Sequence, residues 1–191
     1  GTEFHGIKRA HVEGVIFIAG DHWESAGGDS GLFVGGCAMQ SIVGCRAIGS
    51  RDLGVYAAGS TSGTLNCKTR IVDCQFVNCF HGAAIKRSSG DCEISNNDAQ
   101  NCVRGFLVDV VTGSGFNRVR VAGNTGRNCG IPIRLQLTNG YDVSDNHFTT
   151  LGALLEDGST VEDVAGCNGI ELYGCKYGVV RHNTVRGLQS G

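Results

Sequence analysis

Ile71-Val72-Asp73-Cys74, Ile94-Ser95-Asn96-Asn97, Val121-Ala122-Gly123-Asn124 and Val143-Ser144-Asp145-Asn146 repeat one pattern. A β-branched residue is followed, one position on, by a residue that tolerates left-handed backbone angles, and then by Cys or Asn. The pattern recurs at Ile42-Val43-Gly44-Cys45 and Val180-Arg181-His182-Asn183, so the Cys/Asn positions 45, 74, 97, 124, 146 and 183 are 29, 23, 27, 22 and 37 residues apart. Self-similarity at roughly 20 to 50 residues indicates a repeat architecture, in which each unit buries its apolar face only against its neighbours.

A second segment in each unit starts at glycine: Gly14-Val15-Ile16-Phe17, Gly54-Val55-Tyr56-Ala57, Gly82-Ala83-Ala84-Ile85, Gly105-Phe106-Leu107-Val108, Gly130-Ile131-Pro132-Ile133 and Gly169-Ile170-Glu171-Leu172. Each reads with period two, the strand signal, and helical periodicity is absent. Two or three short strands per unit, bent at Gly and Asn, close into a coil whose strands pair with those of the coils above and below, about 4.8 Å away. The fold class that follows is all-β, a right-handed single-stranded parallel β-helix of about six to seven coils, occupying residues 1–191 as one domain.

This register makes predictions about stacking. Five residues beyond the Cys/Asn position stand Cys79, Cys102 and Cys129, then Leu151 and Leu188. The three cysteines are expected to form an inward ladder, and Asn97, Asn124 and Asn146 an amide ladder at a turn. In-register parallel neighbours rarely offer disulfide torsion, so free thiols are expected among the 10 cysteines. No Cys-x-x-Cys or His-x-x-x-His pair occurs, so no metal site is expected. The spacing of 37 residues contains a loop insertion around 153–166, and Gly20 to Gly36, which includes Trp23, is a second irregular stretch.

Lys+Arg 16 against Asp+Glu 18 gives a net charge of -2, scattered along the chain, which argues against a nucleic-acid partner. No apolar run approaches the roughly 20 residues of a transmembrane helix, so no membrane partner is expected. The chain opens on Gly1-Thr2-Glu3-Phe4 without Met and is read as a segment of a longer chain. Gly27-Gly28-Asp29-Ser30-Gly31 is similar to the nucleophile segment of trypsin-like proteases, but five Gly-rich residues do not make a triad, which is recognised by geometry.

With these repeats the chain resembles the pectin-lyase-like superfamily of right-handed parallel β-helices, over about Phe4 to Leu188. That superfamily includes pectate lyases, polygalacturonases, mannuronan epimerases and phage tailspikes. The Asp-Pro-His of the epimerases is missing, since the only proline is Pro132, and no catalytic residue carries over by motif. Abundant unpaired cysteine fits assembly in a reducing cytosol, as for tailspikes. The resemblance therefore implies a tailspike-like β-helix that binds a bacterial surface polysaccharide and, if it is an enzyme, depolymerises it as a glycoside hydrolase or polysaccharide lyase; it further implies a homotrimer located on a virion or outside the cell, with no cofactor.

Counted from the residue after each glycine, the second and fourth positions face outward. The second positions read Ile16, Tyr56, Ala84, Leu107, Pro132 and Glu171, and the fourth Ile18, Ala58, Lys86, Asp109, Arg134 and Tyr173. Asp109 is thus expected between Lys86 and Arg134, with Glu171 and Tyr173 just beyond. This face combines carboxylates, cations suited to acidic sugars and aromatic planes for sugar rings. In a glycosidase reading Asp109 and Glu171 are the catalytic pair, near the roughly 6.5–9.5 Å of an inverting enzyme. In a lyase reading Lys86 or Arg134 abstracts the proton beside a uronate. Lys86, Arg134, Tyr173, Tyr56 and Trp23 are the candidate polysaccharide contacts. The simpler reading of Lys86, Asp109 and Arg134 is a surface ion-pair ladder, and the rival function is a non-catalytic structural or adhesive β-solenoid of a larger assembly.

Overall fold

In a computed structural model the described residues are 2–6, 8–18, 30–50, 52–59, 68–87, 91–109, 118–151 and 169–187. Trp23, Leu188, most of the protease-like pentapeptide and the insertion around 153–166 lie outside them. The described elements are all strands, numbered β1 to β21 along the chain, and they form three parallel sheets of seven strands. The first sheet holds β1 (Thr2–His5), β4 (Leu32–Gly35), β7 (Leu53–Ala58), β10 (His81–Lys86), β13 (Arg104–Asp109), β16 (Ile131–Gln136) and β19 (Ile170–Tyr173). The second holds β2 (Arg9–Glu13), β5 (Met39–Val43), β8 (Lys68–Val72), β11 (Cys92–Ser95), β14 (Val119–Ala122), β17 (Asn139–Ser144) and β20 (Lys176–Arg181). The third holds β3 (Ile16–Ile18), β6 (Arg46–Ile48), β9 (Gln75–Val77), β12 (Asp98–Gln100), β15 (Thr125–Cys129), β18 (His147–Leu151) and β21 (Thr184–Val185). Every third strand joins the same sheet, which is a parallel β-solenoid.

The corners follow from backbone sterics. Between the second and third sheets Gly14, Gly44, Asp73, Asn96, Gly123, Asp145 and His182 all take positive φ, immediately before the ladder position. This conformation is costly for L-residues, and least so for Gly and Asn. The register also corrects one repeat: Gly14-Val15-Ile16-Phe17 is this corner followed by β3, so Ile16 and Ile18 belong to the third sheet and not to the expected groove.

Both expected ladders form. Asn97, Asn124, Asn146 and Asn183 stack, each Nδ2 donating to the next Oδ1 at 3.0, 2.9 and 2.8 Å. Each Oδ1 also accepts the backbone N–H of the coil before, from Cys74 at 2.9 Å, Asn97 at 3.0 Å, Asn124 at 3.0 Å and Asn146 at 3.1 Å. The amides are thereby satisfied in the interior, as buried polar groups must be. Cys79, Cys102 and Cys129 form the thiol ladder, their sulfurs reaching the carbonyls of Ala47, Phe76 and Ala99 at 3.7, 3.8 and 3.4 Å. The eight described cysteines are free. A second asparagine ladder, Asn78-Asn101-Asn128, runs along the next corner with side-chain bonds of 3.1 and 2.9 Å.

The core alternates bulky and small residues. In the third sheet Phe76 lies between Ala47 and Ala99, and Phe148 between Gly126 and Val185. Phe106 of β13 fills the space left across the core, its ring centroid 6.2 Å from Phe76 and 6.1 Å from Phe148. Such interdigitation gives an interior of crystal-like density.

Candidate functional site

Glycine decides which side chains reach the outer face of the first sheet. A Cβ on Gly82 would stand 2.7 Å from the Gly105 carbonyl oxygen and 3.1 Å from the Phe76 Cβ, so the bare position points into the core. Gly54 and Gly105 are equally constrained, by Gly82 O and Pro132 O, each at 2.6 Å. The residue before each glycine then turns outward. Leu53 accordingly packs with Ala84, Leu107 and Tyr56 in an apolar cluster separate from the core. His81 and Arg104 occupy the same row in the next two coils.

Pro132, and not Gly130, is the counterpart of Gly105, because its carbonyl faces Gly105. That slides β16 by two residues from the expected register, leaving Ile133 inside and Arg134 outside as expected but moving Pro132 to the glycine position and altering the neighbours. One outward row is Phe33, Tyr56, Ala84, Leu107, Arg134 and Glu171, and the other Gly35, Ala58, Lys86, Asp109, Gln136 and Tyr173. Asp109 thus lies between Lys86 and Gln136, not between Lys86 and Arg134, and Pro132 leaves the outward row. Asp109 and Glu171 stand two coils and two residues apart, roughly 9.6 Å across the strands and 6.6 Å along them. Their Cα atoms are thus roughly 11–12 Å apart, with the two side chains on the same outer face.

The ion-pair ladder is rearranged as well. The Lys86 ammonium sits over the Tyr56 ring at 5.4 Å, and Phe33 meets that ring edge-on at 4.9 Å. Burial raises the Tyr56 pKa, against the lowering charge of Arg87. Arg134 Nε lies 3.6 Å from a Glu171 carboxylate oxygen, an ion pair too long to be a hydrogen bond. Both residues are half-buried, whereas Tyr173 is 63% exposed.

The best-buried titratable group of this face stands outside both of these outward rows. His81 is 5% exposed and packs edge-on against Phe80. Arg104 Nη1 donates to His81 Nε2 at 2.8 Å, which leaves the imidazole proton on Nδ1, 3.3 Å from the Asp52 carbonyl oxygen. The Asp52 carboxylate lies 3.8 Å from the same nitrogen. Burial, and then the charges of Arg104 and Lys86, hold the His81 pKa down to about 3, so the ring is neutral at physiological pH. Burial followed by the Arg134 charge lowers the pKa of Arg104. The Nε atoms of Arg104 and Arg134 are buried without a hydrogen-bond partner. The signal that would have found His81 and Arg104 is their place one residue before Gly82 and Gly105.

The other two outer faces are ordinary by comparison. On the second sheet Glu93 bridges Arg70 at 2.8 Å and Arg120 at 3.0 Å. On the third, Thr125 bonds Asp98 at 2.9 Å and Arg127 bonds Gln100 at 2.7 Å. A hollow of about 380 Å³ bordered by Ile170, Val180 and Val185 is lined largely by inward-facing residues of the last described strands. Among the described residues no group of three or more His, Cys, Asp and Glu could hold a metal ion.

No curated protein matches the chain. The family described as a right-handed β-helix region matches residues 28–191, most of its length. With three parallel sheets wound from successive coils and that match, the chain belongs to the right-handed β-helix family.

Proposed function

We propose that this β-helix is of the phage-tailspike type and that the outer face of its first sheet binds, and as an enzyme depolymerises, a bacterial surface polysaccharide. The observation that carries the reading is the difference between the three outer faces. Among the described residues only the first face gathers a buried histidine, two arginines with buried nitrogens that lack a hydrogen-bond partner, carboxylates and an aromatic pair within a few coils. Partly desolvated charges beside apolar surface are the usual setting of a ligand site. As a lyase it would set Lys86 or Arg134 beside a uronate, and as a glycoside hydrolase it would use Asp109 and Glu171. Tyr56 and Tyr173 supply planes for sugar rings. The tailspike resemblance and the free thiols support assembly as a homotrimer on a virion, or release to the exterior.

Incubation with defined capsular and O-antigen polysaccharides tests the proposal, with size-exclusion chromatography for released oligosaccharides and ultraviolet absorbance for an unsaturated uronate. Turnover unchanged in Asp109→Asn removes that carboxylate from the chemistry, and loss in Arg134→Gln supports the lyase form. Sedimentation equilibrium tests the homotrimer.

The apolar cluster of Leu53, Ala84 and Leu107 on the same face supports a second reading, a non-catalytic structural or adhesive solenoid. Binding without shortening of the polysaccharide favours that reading.

A further inference from the structure

We infer that Arg104, assisted by Arg134, is the carboxylate-recognition point of the first sheet's outer face, and that His81 is its positioning residue. The inference rests on the polysaccharide reading above and names the chemistry of the sugar. Three observations carry it.

First, the Arg104 guanidinium donates to a neutral acceptor, His81 Nε2, a bond that leaves its charge uncompensated. His81 is itself fixed by Phe80 and the Asp52 carbonyl, so the guanidinium is held by one nitrogen and the remainder of its fork can engage a ligand. Second, Arg104 and Arg134 are near enough for one charge to weaken the other, and each has a buried Nε without a hydrogen-bond partner. Glu171 already faces the Arg134 Nε at 3.6 Å, and two like charges that share one carboxylate are further stabilised by a bound anion. Third, the local balance selects a monoanion. His81 is neutral, and Arg104 and Arg134 against Glu171 leave a single positive charge. A sugar carboxylate matches that charge and fits the planar donor fork in bidentate fashion, whereas a dianionic phosphate would meet Glu171 uncompensated.

The test uses the full chain, 15N-labelled, with the arginine Nε–H resonances followed by NMR. It is titrated with polygalacturonate oligomers, with the same oligomers after carboxyl reduction, and with dextran sulfate oligomers. The carboxylate oligomers are expected to shift the Arg104 and Arg134 Nε–H signals, and the reduced oligomers to leave them unmoved. Arg104→Gln is expected to weaken binding about ten- to hundredfold, the range of a charge-assisted hydrogen bond. His81→Gln, which keeps an acceptor, is expected to bind within about threefold of the parent, and His81→Leu to bind as poorly as Arg104→Gln. A melting temperature for each variant separates positioning from unfolding.

If the reduced oligomers bind this face as well as the acidic ones, the carboxylate assignment falls while the polysaccharide reading stands. Stronger shifts with dextran sulfate overturn the choice of anion. Parent-like binding by His81→Leu overturns the positioning role. If none of the three oligomers alters the spectrum, the carboxylate assignment falls, and the polysaccharide reading is decided by the capsular and O-antigen polysaccharides instead.

Discussion

Asn124 stands directly above Asn97, and its Oδ1 accepts both the backbone N–H and the side-chain Nδ2 of Asn97, each at 3.0 Å. Both residues are inaccessible to water, so no solvent molecule replaces a lost partner. Asn124→Leu leaves the Asn97 backbone N–H unpaired and removes the side-chain bonds to the Asn97 Nδ2, the Ile94 carbonyl and the Asn146 Oδ1, the last of which keeps the Asn124 N–H. The expected loss is roughly 3–5 kcal/mol by urea unfolding, since each buried unpaired group costs about 1–3 kcal/mol. Asn101→Ala, in the half-buried second ladder, is expected to cost about 1 kcal/mol; equal losses at the two sites would show that burial is not the deciding factor.

Gly82 and Gly44 separate two reasons for glycine. Gly82→Ala sets a methyl against a backbone oxygen and the Phe76 side chain, neither of which has room to retreat, so roughly 2–3 kcal/mol of stability should be lost. Gly44 has φ +59° and open space for 4 Å around the place a Cβ would take, and Asn96 occupies the equivalent corner at φ 55°. Gly44→Asn should therefore stay within about 0.5 kcal/mol of the parent, as thermal melts of the two variants will reveal.

The interior thiols should resist alkylation. Burial raises the Cys74 pKa to about 12, and the neighbouring Cys102 thiol together with burial pushes Cys79 well up. Thiolate is the reactive form, so iodoacetamide at about pH 8 should leave Cys74, Cys79 and Cys102 unlabelled in the native chain and label them all in urea. Peptide mapping by mass spectrometry reads this directly, and native labelling of Cys102 would contradict the inward ladder.

His81 makes the fold acid-sensitive. Its pKa is lowered from 6.5 to about 3 on folding, so between those values the unfolded chain binds more protons than the folded one. Stability from this group is complete above about pH 6.5 and is lost as the pH falls toward 3. The groups facing the ring are Asp52, Arg104, Lys86 and Arg134. His81→Gln should flatten the fall in unfolding free energy between about pH 7 and pH 4, by an amount on the order of a few kcal/mol. An identical slope in parent and variant would place the titration elsewhere.

The second sheet and both expected ladders were legible because one residue type recurs at one place: Ile or Val inward, a left-handed corner, then Cys or Asn. The register of β16 was misread because Pro132 does there what glycine does in β7, β10 and β13. A search for glycine alone locks onto Gly130, two residues early, and carries Arg134 with it. His81 and Arg104 were missed for a related reason. Strict alternation turns the residue before glycine inward, and only the contact between a Gly82 Cβ and the core reveals that the alternation breaks there. The third sheet carries a weak signal, since β6, β9 and β12 are three residues long with a single inward side chain each.

Hydrogen-bonded ladders look alike at every level and cannot tell one coil from another; the phenylalanines supply the address. Cutting out residues 125–146 would rejoin asparagine to asparagine, yet it would bring Phe148 onto Ala99. That ring now lies 2.7 Å from where a Gly126 Cβ would be, and the Ala99 methyl would occupy the corresponding space. Repeats in this chain are therefore alike in their bonding but not exchangeable in their order.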